Sequence, residues 1–284
     1  EIPMIPEIGL QLFSVRNALG QDYAATLEKV AAIGYKNLEL ISTVTENGLV
    51  FGQDLRPSEH RRLLDGLGLR AVGCHFMPKD GTPMERIVES CFETGASALV
   101  IPFALFNDRQ DVLAFCERTN LAGEMCNKQG VQLYYHNHIQ EFDVFEGQMV
   151  LDIMLENLDR DLVMYEFDTY WAIRGGQDPI AWIRKLGRRC DLLHQKDLPA
   201  GVQPVNLFDL AAGNPQITML EMLISVGEDQ FTEIGTGTLN ISEIIAAGRT
   251  YGNTRYVLVE QDKTSKDELD SVTLSYHNLS RLLA

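Results

Sequence analysis

A single (β/α)8 barrel is the fold class this α/β sequence predicts, and three observations carry the expectation. Compact apolar runs of strand length alternate with 3.6-residue helical patterns along the 284 residues, eight times over. The runs are apolar on both faces, as parallel strands covered by helices must be, and no low-complexity linker divides the chain. Glycines in IGYKN, GLGLR, TGASA, KQGVQ and KLGRR stand between a helix and the next strand, where the left-handed end of a helix suits them. A doubly wound open sheet shares this alternation, but closure into a barrel is the simplest arrangement for eight units.

The first unit pairs IGLQLFSV (8–15) with YAATLEKVAAIGY (23–35), where Leu27, Val30, Ala31 and Ile33 give a helix one apolar face. NLELIS (37–42) is followed by RPSEHRRLLDGLG (56–68), with Pro57 suited to a first helical turn and Gly66 and Gly68 to its end. LRAVGCHF (69–76) precedes a helix from about Met84 to Thr94, and ALVIPF (98–103) a long one from about Arg109 to Gln129. VQLYYHNH (131–138), LVMYEFD (162–168), CDLLHQKD (190–197) and YVLVEQD (256–262) supply the remaining strands. One domain, 1–284, is expected. Its insertion-like region at 198–239 carries a helix near Met219 to Ile224, and FTEIGTGTLN (231–240) reads as a loop crossing the top face.

Composition narrows the partners. Lysine and arginine number 24 against 40 aspartates and glutamates, a net charge of −16 that repels phosphate backbones and anionic lipid heads. The expected partner is therefore a small molecule, with no nucleic acid and no membrane, and with homo-oligomer formation left open. No run of about 18 apolar residues offers a membrane-spanning helix. Five widely spaced cysteines without a CxxC pair read as buried free thiols in a reducing setting. The chain begins at Glu1 instead of Met, so a trimmed start is expected. The expected location is cytoplasmic, with a removed export signal as the other reading.

The chemistry lies where the strands end. In this fold catalysis sits at the C-terminal ends of the strands, which makes Gln11, Glu39, His75, His136, His138, Glu141, Asp168, His194, Lys196, Asp197 and Glu260 site candidates. Taken singly, each has a plain structural explanation: Glu39 as a cap or salt bridge, His75 as a bonded core histidine, and Asp197 as a group that orients His194 or caps the next turn. Taken together, the last four strands all end in oxygen or imidazole donors. A bound divalent cation is the simplest way to neutralise that much converging charge. Glu166, two residues before Asp168, shares its side of the strand and reads as a hydrogen-bonded group behind the site.

IGLQLFSVR, YHNHIQEF, FDTYWAIRGGQDP, LLHQKD, FTEIGTGTLN and VLVEQD, in that order, resemble the sugar phosphate isomerase/epimerase family with the xylose-isomerase-like TIM barrel, in its YHNH branch. The resemblance covers nearly the full length. It implies one divalent metal ion (Mn, Mg, Co or Zn) held by Glu141, Asp168, His194 and Glu260. The family's ketose epimerases carry the first of those glutamates where this chain has Tyr134, so Glu141 takes that role here, with His136 as the competing choice. Trp171 stands where those epimerases have a substrate-binding histidine, a departure from free ketohexose 3-epimerisation.

The implied activity is a metal-dependent sugar isomerase, epimerase or related keto-sugar lyase. All three share α-proton abstraction beside a carbonyl and a metal-stabilised enediolate. Glu141 and Glu260 are the expected acid/base pair, and His75, His136, His138, Trp171 and Lys196 the expected substrate-binding groups. Two other readings use the same barrel. An apurinic-endonuclease-like hydrolase would want more than six histidines and a basic channel, and the third reading is a sugar-binding barrel without activity.

Overall fold

A computed structural model describes residues 5–78, 81, 83–202, 206–208 and 218–284. Eight parallel strands close into a barrel: β1 (Glu7–Gln11), β2 (Asn37–Ile41), β3 (Arg70–His75), β4 (Ala98–Ile101), β5 (Gln132–His136), β6 (Val163–Asp168), β7 (Cys190–Gln195) and β8 (Tyr256–Val259). Each strand pairs with its neighbours in sequence, and β8 returns to β1. Seven of the eight strands fall within the apolar runs, β1 starts one residue before its run at Glu7, and the sheet is closed, not open.

The helices wrap the outside: α1 (Tyr23–Ile33), α2 (Pro57–Gly66), α3 (Met84–Glu93), α4 (Arg109–Lys128), α5 (Val150–Asn157), α6 (Pro179–Leu186), α7 (Ile241–Tyr251) and α8 (Glu268–Leu283). Asp22 and Asp108 cap α1 and α4 by accepting from the backbone N–H three residues on, and Pro57 and Pro179 occupy first turns. Gly34 (φ 124°) and Gly130 (φ 72°) take the positive φ that ends α1 and α4, so glycine there marks the turn back into a strand. The main core lies between strands and helices. Tyr135 of β5, for example, packs its ring edge-on to Phe115 of α4 at 5.4 Å.

Inside the barrel, alternate residues of each strand face one another. A small apolar layer of Ala98, Val100, Tyr134 and Leu192, with Met164 and Tyr256 against it, plugs the lower half. Tyr134 belongs to this plug, with its hydroxyl accepting from Arg255 at 3.1 Å. It stands two residues below His136, the strand's last inward residue.

Of the expected insertion-like region 198–239, residues 203–205 and 209–217 lie outside the described residues, and the described part folds over the mouth. Its helix Met219–Ser225 begins with Thr218 and Glu221 capping each other. Leu198, Leu207, Val226 and Phe231 pack with Ile139, Tyr170 and Trp171 into a second apolar cluster above the barrel. Asp197 anchors the GTGT loop by accepting from the backbone N–H groups of Leu198, Gly235, Gly237 and Leu239 at 2.8–3.1 Å. Asp197 is thus a loop anchor, as its capping reading expected.

Candidate functional site

The strand ends gather their polar side chains in two tiers. Strand register sets this up: Asp168 lies beside His194, and the register shifts between Tyr165 and Glu166 and between Leu38 and Glu39. Such irregularities re-aim side chains at barrel rims. Gly73 lies opposite Glu39, and a Cβ there would come within 2.6 Å of Glu39 Oε1, so only glycine leaves the carboxylate its place. Asn137 braces β5 to β6 by accepting from the backbone N–H of Asp168 at 2.9 Å and donating to its carbonyl at 3.2 Å.

The upper tier holds His136, Asp168, His194 and Glu260, and one donor atom from each lies within 4.8 Å of the others. Asp168 caps the short helix Thr169–Arg174 through Oδ1, which accepts from Trp171 N at 2.8 Å, and its Oδ2 meets the Lys196 ammonium. Glu260 Oε2 accepts from the same ammonium and lies 2.8 Å from His194 Nδ1. The lower tier is Glu39 and Glu166 with His75. Glu166 Oε1 lies 2.9 Å from His75 Nε2, 3.1 Å from His136 Nδ1 and 2.8 Å from His194 Nε2. Glu39 Oε2 accepts from Gln11 at 2.7 Å and lies 2.6 Å from His194 Nε2.

Burial makes these charges matter. Burial opposes the ionisation of Glu39 and Glu260, yet facing cations outweigh it and hold both carboxyls well below the usual range: His75 and His194 for Glu39, Lys196 and His194 for Glu260. Burial and then the facing Glu39 carboxylate push Glu166 up. For the same reason of charge, His75 rises to about 10 and His194 well above its ordinary value, against their burial. His136 goes the other way, pushed well below its usual value by burial and the neighbouring His194 and His138 rings, and His138 falls to about 3. The carboxylates thus face the Lys196 ammonium and the His75, His136 and His194 rings.

Above the tiers opens a cavity of about 470 Å³. His75, His136, His138 and Glu260 reach it from the barrel, and Trp171, Phe76, Phe103 and Phe231 give it aromatic walls. The predicted residues His75, His136, Asp168, His194, Lys196 and Glu260 are therefore together, and His138 and Trp171 stand above them with ring centroids 5.6 Å apart. Lys196 is fully buried among the carboxylates. Glu141 is not brought into the group. A 3-10 turn, Gln140–Phe142, carries it behind β5, where its carboxylate accepts from the Tyr135 hydroxyl and from His138 N at 2.9 Å. Asp262, Arg16 and Ser42 also line the cavity without having been singled out. For Asp262 the signal was present, since alternation puts it on the same side as Glu260.

The donor set fits a divalent ion: two imidazole nitrogens and two carboxylates on four neighbouring strands, converging below an open cavity. Oxygen and nitrogen donors of this mix suit several such ions.

No protein-family model matches the chain. Among curated relatives, an inosose dehydratase from Clostridium beijerinckii is 25% identical over 162 residues, which cover 56% of this chain and 49% of that protein. A second, from Clostridium perfringens, is 22% identical over 206 residues covering 72% and 62%. The chain thus spans about half to three fifths of the length of these relatives. A sugar phosphate isomerase/epimerase from Parabacteroides distasonis superposes with TM-score 0.77 and 25% identity over 99% of this chain and 96% of that one. The zinc-bound IolI protein superposes with TM-score 0.70 and 11% identity over 98% of each. In fold and over its full length, this chain stands with the sugar phosphate isomerase/epimerase and xylose-isomerase-like TIM-barrel proteins.

Proposed function

We propose that the chain is a divalent-metal-dependent enzyme that removes a proton beside the carbonyl of a small sugar or keto-sugar, leading to isomerisation, epimerisation or elimination. The observation that carries the reading is the convergence of His136, Asp168, His194 and Glu260 beneath the cavity. These four would hold the ion, with His136 in the role that the sequence resemblance assigned to Glu141. The ion would supply Lewis-acid stabilisation for negative charge developing on a substrate oxygen.

The chain's own residues do the rest. Glu260 and Asp262 line the same wall of the cavity and are the carboxylates placed to take and return the substrate proton. Glu141 is bonded to the Tyr135 hydroxyl and His138 N and does not line the cavity, so it is left out of that pair. His138 and Trp171 each keep a buried ring nitrogen, Nδ1 and Nε1, without a hydrogen-bond partner, as groups meant for a ligand oxygen would. Trp171 and Phe76 offer flat apolar faces to a sugar ring. Phe231 and Leu223 from the roof exclude water above it.

Inosose dehydratases are among the relatives, so an inosose is the first substrate to try. The protein is stripped by chelation, reloaded separately with Mn, Mg, Co and Zn, and assayed for turnover. Activity that vanishes on stripping, returns on reloading and is absent in Asp168→Ala supports the reading. Full turnover by metal-free protein contradicts it.

A further inference from the structure

Two fully buried carboxylates take no part in the proposed chemistry. Glu39 and Glu166 lie beneath the upper tier, and neither lines the cavity. Burying two carboxylates is costly unless they are bonded to something that needs them. Glu166 meets the rings of both proposed imidazole ligands and Glu39 that of His194; both also meet His75, and Glu166 with His75, His136 and His194 forms a second group of closely spaced donors. His136 turns Nδ1 to Glu166 at 3.1 Å and Nε2 towards Asp168 at 4.0 Å. His194 turns Nε2 to Glu39 and Glu166 at 2.6 and 2.8 Å, and Nδ1 to Glu260 at 2.8 Å. Each ring therefore presents one nitrogen downward to a carboxylate and the other upward to the ligand carboxylates.

We infer that Glu166, seconded by Glu39, is a positioning residue that fixes the tautomer and tilt of both His136 and His194, so that His136 Nε2 and His194 Nδ1 point at one divalent ion. The inference rests on the metal reading above. An imidazole holds a metal through a bare nitrogen, which requires its proton on the other one. A carboxylate below accepts that N–H, locks the ring and raises the basicity of the free nitrogen. Here a single oxygen, Glu166 Oε1, serves both rings, and it also receives His75 Nε2 at 2.9 Å. His75 stacks on His194 with ring planes 9° apart and closes the floor from the third strand. One carboxylate thus sets two ligands at once, and both should fail together when it is altered.

The experiment titrates Co²⁺ into stripped wild-type protein, Glu166→Gln and Glu39→Gln, in competition with a chelator of known affinity, and follows the visible absorption of bound cobalt. Asp168→Ala serves as the ligand control, and circular dichroism with thermal melting in chelator checks each fold. Expected are one Co²⁺ per wild-type chain, affinity weaker by roughly 10- to 100-fold in Glu166→Gln, a smaller loss in Glu39→Gln, and an altered cobalt spectrum in folded protein. Wild-type affinity and spectrum in a folded Glu166→Gln, with binding lost in Asp168→Ala, overturn the inference while leaving the metal reading intact. Two Co²⁺ per chain, the second lost in Glu166→Gln, also overturn it, because Glu166 would then be a ligand. No binding by wild type overturns both.

Discussion

His136 and Glu141 are five residues apart at the end of β5, yet they lie on opposite sides of the barrel wall. His136 ends the strand facing inward, with Nδ1 3.1 Å from Glu166. Glu141 is carried outward by the Gln140–Phe142 turn to the hydroxyl of Tyr135, whose ring packs among the helices. Substitutions should separate them. Glu141→Gln should bind metal like the wild type, and Glu141→Ala should lower stability by about 1–3 kcal/mol by stranding the Tyr135 hydroxyl and His138 N–H. His136→Ala should lose metal. Chelator competition and melting curves check the pair. Loss of metal from a folded Glu141→Gln would return Glu141 to the ligand set.

Gly73 should tolerate no side chain. Gly73→Ala brings a methyl against Glu39 Oε1 and should cost about 1–3 kcal/mol in chemical denaturation, with weakened metal binding as Glu39 is displaced. An unchanged midpoint would show that the carboxylate moves aside freely.

Asp197 should hold the roof. Its carboxylate satisfies four backbone N–H groups across Leu198–Leu239. Asp197→Ala should lower stability by about 2–4 kcal/mol and speed proteolysis within 231–240, with Asp197→Asn intermediate. Mass mapping of the first cleavage sites reads this out, and wild-type resistance would count against the anchor.

His60 gives the fold a pH dependence remote from the site. It is fully buried, 2.7 Å from the Tyr23 hydroxyl and stacked on Phe51, and burial lowers its pKa from 6.5 to about 4. A base depressed in the folded state contributes stability above pH 6.5 that is lost as pH falls towards 4, here about 3 kcal/mol. The stability of His60→Gln should fall less steeply over that interval. Parallel slopes for the two proteins would rule out His60 as the source.

The barrel was legible because its signals are local. The glycines of IGYKN and KQGVQ end helices wherever they occur, and strand runs apolar on both faces leave few arrangements open. That Asp168, His194 and Glu260 meet at one mouth was legible for a related reason, since each lies at or near the end of a recognisable strand. The β5 member of the proposed set was not. Tyr134, His136 and Glu141 all follow the β5 pattern, and choosing among them needs the strand's phase and the outward turn after it. Tyr134 falls in the apolar plug and Glu141 behind the wall. Only three-dimensional neighbours decide that, as they do for the Glu39 and Glu166 floor, which meets across the barrel from strands far apart in sequence.

The proposed chemistry is proton removal beside a substrate carbonyl, assisted by an ion held in the upper tier. Incorporation of solvent deuterium into an inosose or other keto-sugar, followed by NMR in D2O, tests it most directly. Metal-loaded protein should exchange the proton at the carbon beside the carbonyl, with exchange abolished by chelation and reduced at least about 100-fold in Glu260→Gln. Equal exchange with and without metal, or an undiminished rate in Glu260→Gln, would contradict it.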